Sequence, residues 1–165
     1  DKFIILGVAN VWDRRKGFNY FIELSKKLKV DEIIVMVGLT EKQKELLPEN
    51  IIGITRTNDI NELVEIYTAA DVFVNPTLED NFPTTNLEAL ACGTPVITFN
   101  TGGSVESIDK SCGIVVEKGN IVKLIKAINQ VRSDRPNEAY CISRARSFDK
   151  NERFNEYIEM YKKVF

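Results

Sequence analysis

The chain has 165 residues, 44% of them hydrophobic and 28% charged, which predicts one soluble globular domain that buries roughly two-thirds of its unfolded surface. Its formal net charge of -2 excludes a general attraction to nucleic acid, because the tightest basic cluster, Arg14, Arg15 and Lys16, is too small for a duplex. Three cysteines without CxxC spacing favour neither a disulfide framework nor a zinc site, so a reduced, cytoplasmic setting is expected.

The sequence contains no apolar run of the ~20 residues needed to cross a bilayer, and no signal peptide precedes its first apolar segment. It begins at Asp1 without an initiator methionine, directly before a predicted strand. We therefore interpret residues 1–165 as a single domain cut from a longer protein.

Six short apolar runs are spaced along the chain, and each is too continuous for a strand with one exposed face. They occupy residues 3–8, 33–37, 51–54, 72–74, 96–99 and 114–116. Such runs predict a parallel sheet of about six strands that is buried on both faces.

Segments with the apolar periodicity of helices alternate with these runs. They lie at residues 18–28, 63–70, 87–91 and 121–128. Each is predicted to be an amphipathic crossover helix. Asn58 or Asp59 is expected to cap the helix at 63–70, and Gly93 is expected to end the helix at 87–91 before Pro95.

The last segment, 136–165, changes character and contains only helical patterns. Pro136 opens the first of these patterns, and Phe148 and Asp149 separate it from the second. The expected fold class is therefore α/β, a Rossmann-like, doubly wound parallel sheet with a C-terminal helical extension.

The first candidate site is the loop between Gly7 and Gly17, which follows the first strand and leads into a helix. Its cations, Arg15 and Lys16 among them, and the free N–H groups of that helix are predicted to face one anion together. The loop matches neither GxxxxGK[ST] nor GxGxxG, so it is not a Walker A loop or a dinucleotide fingerprint. A solvated basic loop is an equal alternative on these residues alone.

The second candidate site is the start of the helix that contains residues 87–91. Pro83 suits the first helical position, so Thr84, Thr85 and Asn86 are expected to offer unpaired N–H groups to a ligand.

Two carboxylates flank this helix start, with seven residues between them. Glu88, about one turn into the helix, is well placed to accept hydrogen bonds from a ribose diol. The alternative for Glu88 is an ordinary surface residue stabilised by the helix dipole. Asp80 precedes the helix, and a simple turn residue is its alternative.

The third candidate site is the glycine pair Gly102 and Gly103 after the fifth strand. Paired glycines let a ligand approach the backbone, although a tight turn into the next helix needs them equally. The three candidate sites follow the first, fourth and fifth strands. Because the carboxyl ends of parallel strands meet at one edge of the sheet, we expect all three sites at that edge.

Residues 71–103 resemble the signature of the family 4 retaining glycosyltransferases of GT-B architecture. The family pattern is Glu, seven residues and Glu, then Ala-x-Ala-Cys-Gly-x-Pro-Val and a later Gly-Gly. Here Asp80 takes the first acidic position, Glu88 takes the second, and Ala-Leu-Ala-Cys-Gly-Thr-Pro-Val follows at 89–96. The resemblance covers most of the chain.

The resemblance implies that the chain is the C-terminal, nucleotide-sugar-binding half of such an enzyme, without the N-terminal half that binds the acceptor. The donor would be a nucleotide-diphosphate sugar, with UDP favoured by family frequency, and the acceptor a sugar or a lipid-linked glycan. The enzyme would be cytoplasmic and act in glycan or polysaccharide biosynthesis. Peripheral membrane association would involve only the missing half, and the fragment alone would be inactive.

The resemblance also implies catalytic roles for three residues. Lys16 and Arg15 would neutralise the donor diphosphate. Asp80 would contact hydroxyls of the donor sugar and help to stabilise an oxocarbenium-like transition state. Retention by front-face attack of the acceptor requires no protein nucleophile.

The other implied positions contact the substrate. The N–H groups of Thr84 and Thr85 would bind phosphate, and Glu88 would hold the ribose hydroxyls. Gly102 and Gly103 would leave room for the sugar. The remaining substrate-binding positions are Asn81 and Phe82, beside the first carboxylate, and Arg56, near the base.

No metal or other cofactor is implied, because fixed cations and helix N–H groups take up the charge that develops on the leaving group. The chain has no histidine and no DxD motif. Two departures from the family pattern leave alternatives open. Asp80 is one methylene shorter than the usual Glu, so Glu79 is a second candidate, and Gly7 is not followed by Arg, so Arg14 or Arg15 replaces it.

Two other functions remain alternatives to glycosyl transfer. A nucleotide-sugar epimerase of GT-B fold would use the same type of cleft. In a non-enzymatic, flavodoxin-like regulatory module, the carboxylates would be bystanders.

Overall fold

The computed structural model describes residues 2–164 and contains a six-stranded sheet in which every neighbouring pair of strands is parallel. The strands are β1 (Phe3–Val8), β2 (Glu32–Val37), β3 (Ile51–Ile54), β4 (Val72–Asn75), β5 (Val96–Phe99) and β6 (Gly113–Val116). Asp1 and Phe165, the two ends of the predicted domain, lie outside the described residues. The predicted strands are confirmed, with bounds that differ by at most one residue.

The strand order is β3-β2-β1-β4-β5-β6. The chain therefore builds the sheet outward from β1 to one side and then outward from β4 to the other. In a doubly wound sheet of this kind, the crevice beyond the carboxyl ends of the two central strands is the usual ligand site. The Rossmann-like fold class is confirmed.

Helices cover both faces of the sheet. They are α1 (Phe18–Ser25), α2 (Glu41–Glu45), α3 (Ile60–Ala69), α4 (Thr84–Ala91), α5 (Ile121–Ser133), α6 (Glu138–Arg146) and α7 (Lys150–Val164), and a 3₁₀ turn spans Gly102–Val105.

Alternate side chains of the central strands enter two separate cores. In β4, Val72 and Val74 pack in the core that contains α1 and α5, and Phe73 packs in the core that contains α3, α4 and α6. These three side chains are at most 1% exposed. Burial of each stabilises the fold by about 1.5–3 kcal/mol, which explains why the strands are apolar throughout rather than alternating.

One predicted helix is shorter in the structure, and one short helix is not predicted. The helix predicted at 18–28 ends at Ser25, because the N–H of Lys27 donates to the carbonyl oxygen of Leu24 at 2.8 Å and tightens the last turn. The short helix α2 is not predicted by any apolar period, because it has no buried residue. A capping box between Thr40 and Gln43 stabilises its first turn instead.

The connections around β6 also differ from the prediction. Strands β5 and β6 are joined through the 3₁₀ turn and not through a crossover α-helix. The periodic segment at 121–128 follows the last strand, so α5 is not a crossover helix. It extends to Ser133 and packs against α1.

The predicted helix ends are confirmed at two positions. Asp59 caps α3, since its Oδ1 accepts the N–H groups of Asn61 and Glu62 at 2.7 and 3.0 Å. Gly93 follows α4 with a φ of +78°, a left-handed conformation that favours glycine.

The helical extension is confirmed as α6 and α7. No residue of α7 between Lys150 and Val164 is buried. Among residues 2–164, no helix has both the length and the apolar character required to cross a membrane. The cysteines Cys92, Cys112 and Cys141 are free thiols.

Candidate functional site

A cleft of about 480 Å³ lies at the carboxyl ends of β1 and β4, in the middle of the sheet. Its walls come from the loop after β1, the loop after β4 and the first turns of α4. The lining includes Arg15, Lys16, Asp80, Phe82, Thr84, Thr85 and Glu88. The first two candidate sites of the sequence therefore share one cavity.

An ion pair joins the two loops at this cleft. Lys16 Nζ lies 2.6 Å from Asp80 Oδ2, and the two side chains are 26% and 13% exposed. Because water is largely excluded from both, their attraction is stronger than that of an ordinary surface pair. The pair places a cation and a carboxylate side by side in the cleft and balances their charges.

Backbone contacts between the loops explain how Lys16 reaches this position. The N–H of Leu78 donates to the carbonyl oxygen of Arg15 at 2.7 Å. Gly17 has a φ of +80°, and a Cβ there would lie 2.3 Å from the carbonyl oxygen of Pro76. The glycine after Lys16 is therefore required by the packing of the two loops.

The structure separates two pairs of residues that the sequence leaves as alternatives. Arg15 lines the cleft, whereas Arg14 lines only an outer hollow on the other side of the loop. Asp80 lines the cleft, whereas Glu79 is exposed and lines the outer hollow. Arg15 and Asp80 are thus the members of each pair that border the cleft.

The N-terminus of α1 does not line the cleft, so the prediction that its N–H groups and the loop cations face one anion is wrong. The N–H of Phe18 donates to the carbonyl oxygen of Asp13 at 3.3 Å, and the N–H of Lys16 donates to Asp13 Oδ1 at 2.8 Å. These donors are used within the loop itself. Arg15 and Lys16 are the cations of this loop that line the cleft.

Helix α4 begins one residue later than predicted, because Pro83 is its N-cap and not its first helical residue. A proline side chain has no acceptor for the first-turn donors. The N–H groups of Thr84 and Thr85 have no acceptor among residues 2–164, and both residues line the cleft. The N–H of Asn86 donates to the carbonyl oxygen of Pro83 at 3.2 Å, so the prediction of a free donor there is wrong.

The side chain of Asn86 is fully buried and fixes the start of α4 against the sheet. Its Oδ1 accepts from Asn75 Nδ2 at 2.8 Å, and its Nδ2 donates to Ser107 Oγ at 3.0 Å. Thr98 Oγ1 donates to the carbonyl oxygen of Asn75 at 3.0 Å. Buried polar groups need such partners. This network is not predicted from the sequence. The available signal was a polar residue, Asn86, on the side of α4 that also carries the buried Ala89 and Leu90.

Glu88 enters the cleft from the second turn of α4, and a tyrosine holds its carboxylate. Tyr67 Oη donates to Glu88 Oε2 at 3.0 Å. Burial raises the pKa of Tyr67 above its usual value, and the nearby negative charge of Glu88 raises it further. In the sequence, Tyr67 is one of the apolar positions of the periodic segment at 63–70. The available signal was its hydroxyl group, which requires a partner when buried.

The glycine pair lies behind the acidic loop and outside the lining of the cleft. A Cβ at Gly102 would lie 2.0 Å from the carbonyl oxygen of Asp80, and one at Gly103 would lie 1.9 Å from that of Asn81. The absent side chains therefore make room for the protein's own loop. A contact between these glycines and a sugar stays a prediction, as does a ligand contact of the exposed Asn81.

Two further predicted residues border the cleft region. Phe82 lines the cleft, and its ring centroid lies 5.5 Å from that of Phe148. Arg56 lines a second hollow of about 300 Å³, which shares Ala9 and Leu63 with the cleft. The two spaces adjoin, so one elongated ligand can occupy both.

The cleft combines groups that suit different parts of such a ligand. The cations of Arg15 and Lys16 and the free N–H groups of α4 suit an anion with several oxygens. The carboxylates of Asp80 and Glu88 suit hydroxyl groups. Within residues 2–164, no group of three or more His, Cys, Asp or Glu side chains is arranged to hold a metal ion.

Fold and cleft together define a Rossmann-like domain with anion-binding groups at the centre of its sheet. The family model described as "Glycosyl transferases group 1" matches residues 1–148, and the chain belongs to this family.

Two curated relatives cover most of this chain. An N,N'-diacetylbacillosaminyl-diphospho-undecaprenol alpha-1,3-N-acetylgalactosaminyltransferase of Campylobacter jejuni is 27% identical over 99% of this chain and 45% of its own length. A UDP-Gal:alpha-D-GlcNAc-diphosphoundecaprenol alpha-1,3-galactosyltransferase of Escherichia coli is 27% identical over 82% of this chain and 38% of its own length. The chain thus spans less than half the length of these relatives.

A solved structure shows the same fold. The Anabaena protein HepE in complex with UDP-glucose matches 100% of this chain and 50% of its own length, with a TM-score of 0.81 and 19% sequence identity.

Proposed function

We propose that this chain is the donor-binding half of a retaining glycosyltransferase that uses a UDP-sugar. The observation that carries the proposal is the convergence of Lys16, Asp80, Glu88 and the free N–H groups of α4 on one cleft. A nucleotide-diphosphate sugar needs cations for its phosphates and acceptors for its hydroxyls, and this cleft supplies both.

In this proposal, the diphosphate lies between the two loops. Lys16 and Arg15 approach it from the loop after β1, and the N–H groups of Thr84 and Thr85 approach it from α4. These groups stabilise the negative charge that develops on the diphosphate as its bond to the anomeric carbon breaks. The N–H groups of Thr84 and Thr85 are held in place by α4 before the substrate arrives, so these two donors need little reorganisation.

The two carboxylates bind hydroxyl groups in different parts of the donor. Glu88 accepts hydrogen bonds from the ribose, and the base extends into the second hollow near Arg56. Asp80 faces the donor sugar and stabilises positive charge at the anomeric centre. Binding of the diphosphate draws Lys16 away from Asp80, so that each group then serves its own part of the donor.

The identity of the donor and acceptor classes has support from relatives. HepE was solved in complex with UDP-glucose, and the name of the Escherichia coli relative gives UDP-Gal as its donor. The names of both curated relatives contain a diphospho-undecaprenol acceptor. We therefore propose a lipid-linked glycan as acceptor, bound through an N-terminal half.

Several further features of the whole enzyme belong to the same proposal. It acts in the cytoplasm in glycan or polysaccharide biosynthesis, and it meets the membrane only through its other half. It needs no metal, since the cations and N–H groups of the cleft take up the charge of the diphosphate. It needs no protein nucleophile, since the acceptor oxygen attacks the anomeric carbon on the face that the diphosphate leaves. The donor half alone does not turn over. Membership of the glycosyltransferase family favours this reading over the epimerase and the regulatory module.

The decisive experiment is a calorimetric titration of the chain with UDP, GDP and ADP in the absence of added metal. We expect saturable binding of UDP and a loss of about 1–3 kcal/mol of binding free energy in Glu88→Ala, because charged hydrogen bonds to the ribose are removed. Glu65→Ala, which removes an exposed carboxylate from α3, is the matched control.

Failure of the chain and of the whole protein to bind any of the three nucleotides would overturn the proposal. Equal effects of the Glu88 and Glu65 changes would remove the ribose role of Glu88. A preference for GDP or ADP would still support a donor-binding domain, but the proposed base would change from uracil to guanine or adenine.

A further inference from the structure

Tyr67 is a buried hydroxyl donor whose partner belongs to the cleft. Its side chain is 1% exposed, and its Oη donates to Glu88 Oε2 at 3.0 Å. Among residues 2–164, Glu88 is the only hydrogen-bond partner of this hydroxyl, and Glu88 Oε1 has no partner. One carboxylate oxygen is thus held by the protein, and the other is left for a ligand.

The position of Tyr67 is fixed through both its ring and its backbone. It packs edge-on against Phe73, with 5.6 Å between the ring centroids and 64° between the ring planes. The carbonyl oxygen of Tyr67 accepts from Thr94 Oγ1 at 2.6 Å. The hydroxyl therefore cannot move away from Glu88 unless the ring leaves the core.

The protonation state of Tyr67 suits a permanent donor. Burial raises the pKa of the hydroxyl, and the negative charge of Glu88 raises it further. A tyrosine whose pKa is raised stays neutral at physiological pH, so it keeps the proton that it donates to the carboxylate.

Glu88 needs such a restraint because it lies between two open spaces. Glu88 and Thr84 line both the cleft and a groove between α4 and α6 that includes Ile142 and Phe148. A free glutamate side chain has several rotamers and loses conformational entropy when it is fixed. Helix α3, which carries Tyr67, contributes Leu63 to the lining of the cleft and no residue to the lining of the groove.

We infer that Tyr67 is a positioning residue, which holds the Glu88 carboxylate toward the cleft so that its second oxygen receives the ribose diol of the donor. The inference rests on the proposed function, because the ribose contact of Glu88 is part of that proposal. Tyr67 itself does not touch the substrate. It acts by reducing the freedom that Glu88 would otherwise lose on binding.

The test compares two nucleotides in three proteins. UDP and 2′,3′-dideoxy-UDP are titrated into the unsubstituted chain, into Tyr67→Phe and into Tyr20→Phe. Tyr67→Phe keeps the ring and removes only the hydroxyl. Tyr20→Phe is the matched control, since Tyr20 packs edge-on against Phe99 and its hydroxyl has no hydrogen-bond partner among residues 2–164.

We expect Tyr67→Phe to weaken UDP binding about three- to tenfold, which is the range expected for the loss of one hydrogen bond. Binding of 2′,3′-dideoxy-UDP should be unchanged, because that nucleotide has no ribose diol for Glu88 to accept. Tyr20→Phe should change neither affinity. In the Glu88→Ala background, Tyr67→Phe should have no further effect on UDP.

Equal weakening of both nucleotides by Tyr67→Phe would overturn the positioning role and leave Tyr67 as a residue of the core. So would an unchanged affinity for UDP. If Tyr67→Phe does not fold, NMR side-chain couplings of Glu88 in the ligand-free chain test the same restraint. One rotamer supports the positioning role, and averaging over several rotamers overturns it. Failure of the unsubstituted chain and of the whole protein to bind UDP, GDP or ADP would overturn the proposed function itself, and with it the role of Tyr67.

Discussion

Helices α1 and α4 have the same length of eight residues and begin near the same edge of the sheet, yet only one presents its N-terminus to the cleft. At α1, the N–H of Phe18 is bonded to the preceding loop. At α4, proline is the N-cap, and the N–H groups of Thr84 and Thr85 stay free. The two helix dipoles are equivalent, so the helices differ in their free donors and in where these lie. At α1, the N–H of Asn19 has no acceptor among residues 2–164, but Asn19 does not line the cleft, whereas Thr84 and Thr85 both do.

The loop before α1 contributes in a different way. Its Lys16 side chain forms an ion pair with Asp80, which lies in the loop before α4. In the proposed site, the groups that bind the diphosphate therefore come from two elements, side-chain cations from one and backbone donors from the other. The Lys16–Asp80 ion pair is the link between them.

The largest effect is expected from Asp80→Ala, which breaks this link. In the whole protein, we expect transfer to fall by about 10²–10³-fold, because a carboxylate that stabilises the transition state is lost. UDP binding should not weaken, because Lys16 loses a negative partner that competes with the diphosphate. Enzyme assays and titrations on the same protein measure both effects.

Glu79→Ala is the matched control for Asp80→Ala, because Glu79 is the adjacent carboxylate and lines the outer hollow. It should leave transfer near its original rate. Equal losses from the two substitutions, or loss of UDP binding in Asp80→Ala, would contradict the assignment of Asp80.

A smaller effect is expected from Thr84→Pro, which makes the start of α4 resemble the closed start of α1. Proline is well tolerated at the first helical position, and the preceding Pro83 has a ψ of 112°, which a following proline permits. The change removes one N–H from the cleft. We expect UDP affinity to fall about tenfold, the contribution of one hydrogen bond to a charged phosphate.

Thr84→Ala separates the backbone effect from that of the side chain. It keeps the N–H group and should retain most of the affinity in the same titration. If the alanine and proline variants bind UDP equally, the backbone donor of Thr84 has no role in binding.

The smallest effect on binding is expected from Asp13→Ala in the loop before α1. Loss of the hydrogen bond between the Lys16 N–H and Asp13 Oδ1 should lower the free energy of unfolding by about 0.5–1.5 kcal/mol. UDP affinity should not decrease, because this end of α1 does not line the cleft. Chemical denaturation and titration measure the two quantities. A tenfold loss of affinity would show that Asp13 helps to position Lys16, or Arg15, whose Nε lies 3.9 Å from Asp13 Oδ2.

The strands and the family can be predicted from the order of residues alone. A strand buried on both faces must be apolar at every position, so residues 3–8, 51–54 and 96–99 are visible as continuous runs without any knowledge of their neighbours. The spacing of Asp80 and Glu88 and the motif that follows them are also local, and they identified the glycosyltransferase family that the comparison with known proteins confirms.

Which donors and side chains lack a partner within the protein depends on contacts that form only in the folded chain. The closed start of α1, the buried network of Asn86, the loop packed on Gly102 and the bond between Tyr67 and Glu88 all join atoms from separate segments of the chain or depend on loop geometry. Hydrogen bonding and close packing act through space at distances of a few ångströms, whereas a sequence pattern records only the order of residues. The residue types that can form a site are therefore legible in the sequence, and their partners are set by the fold.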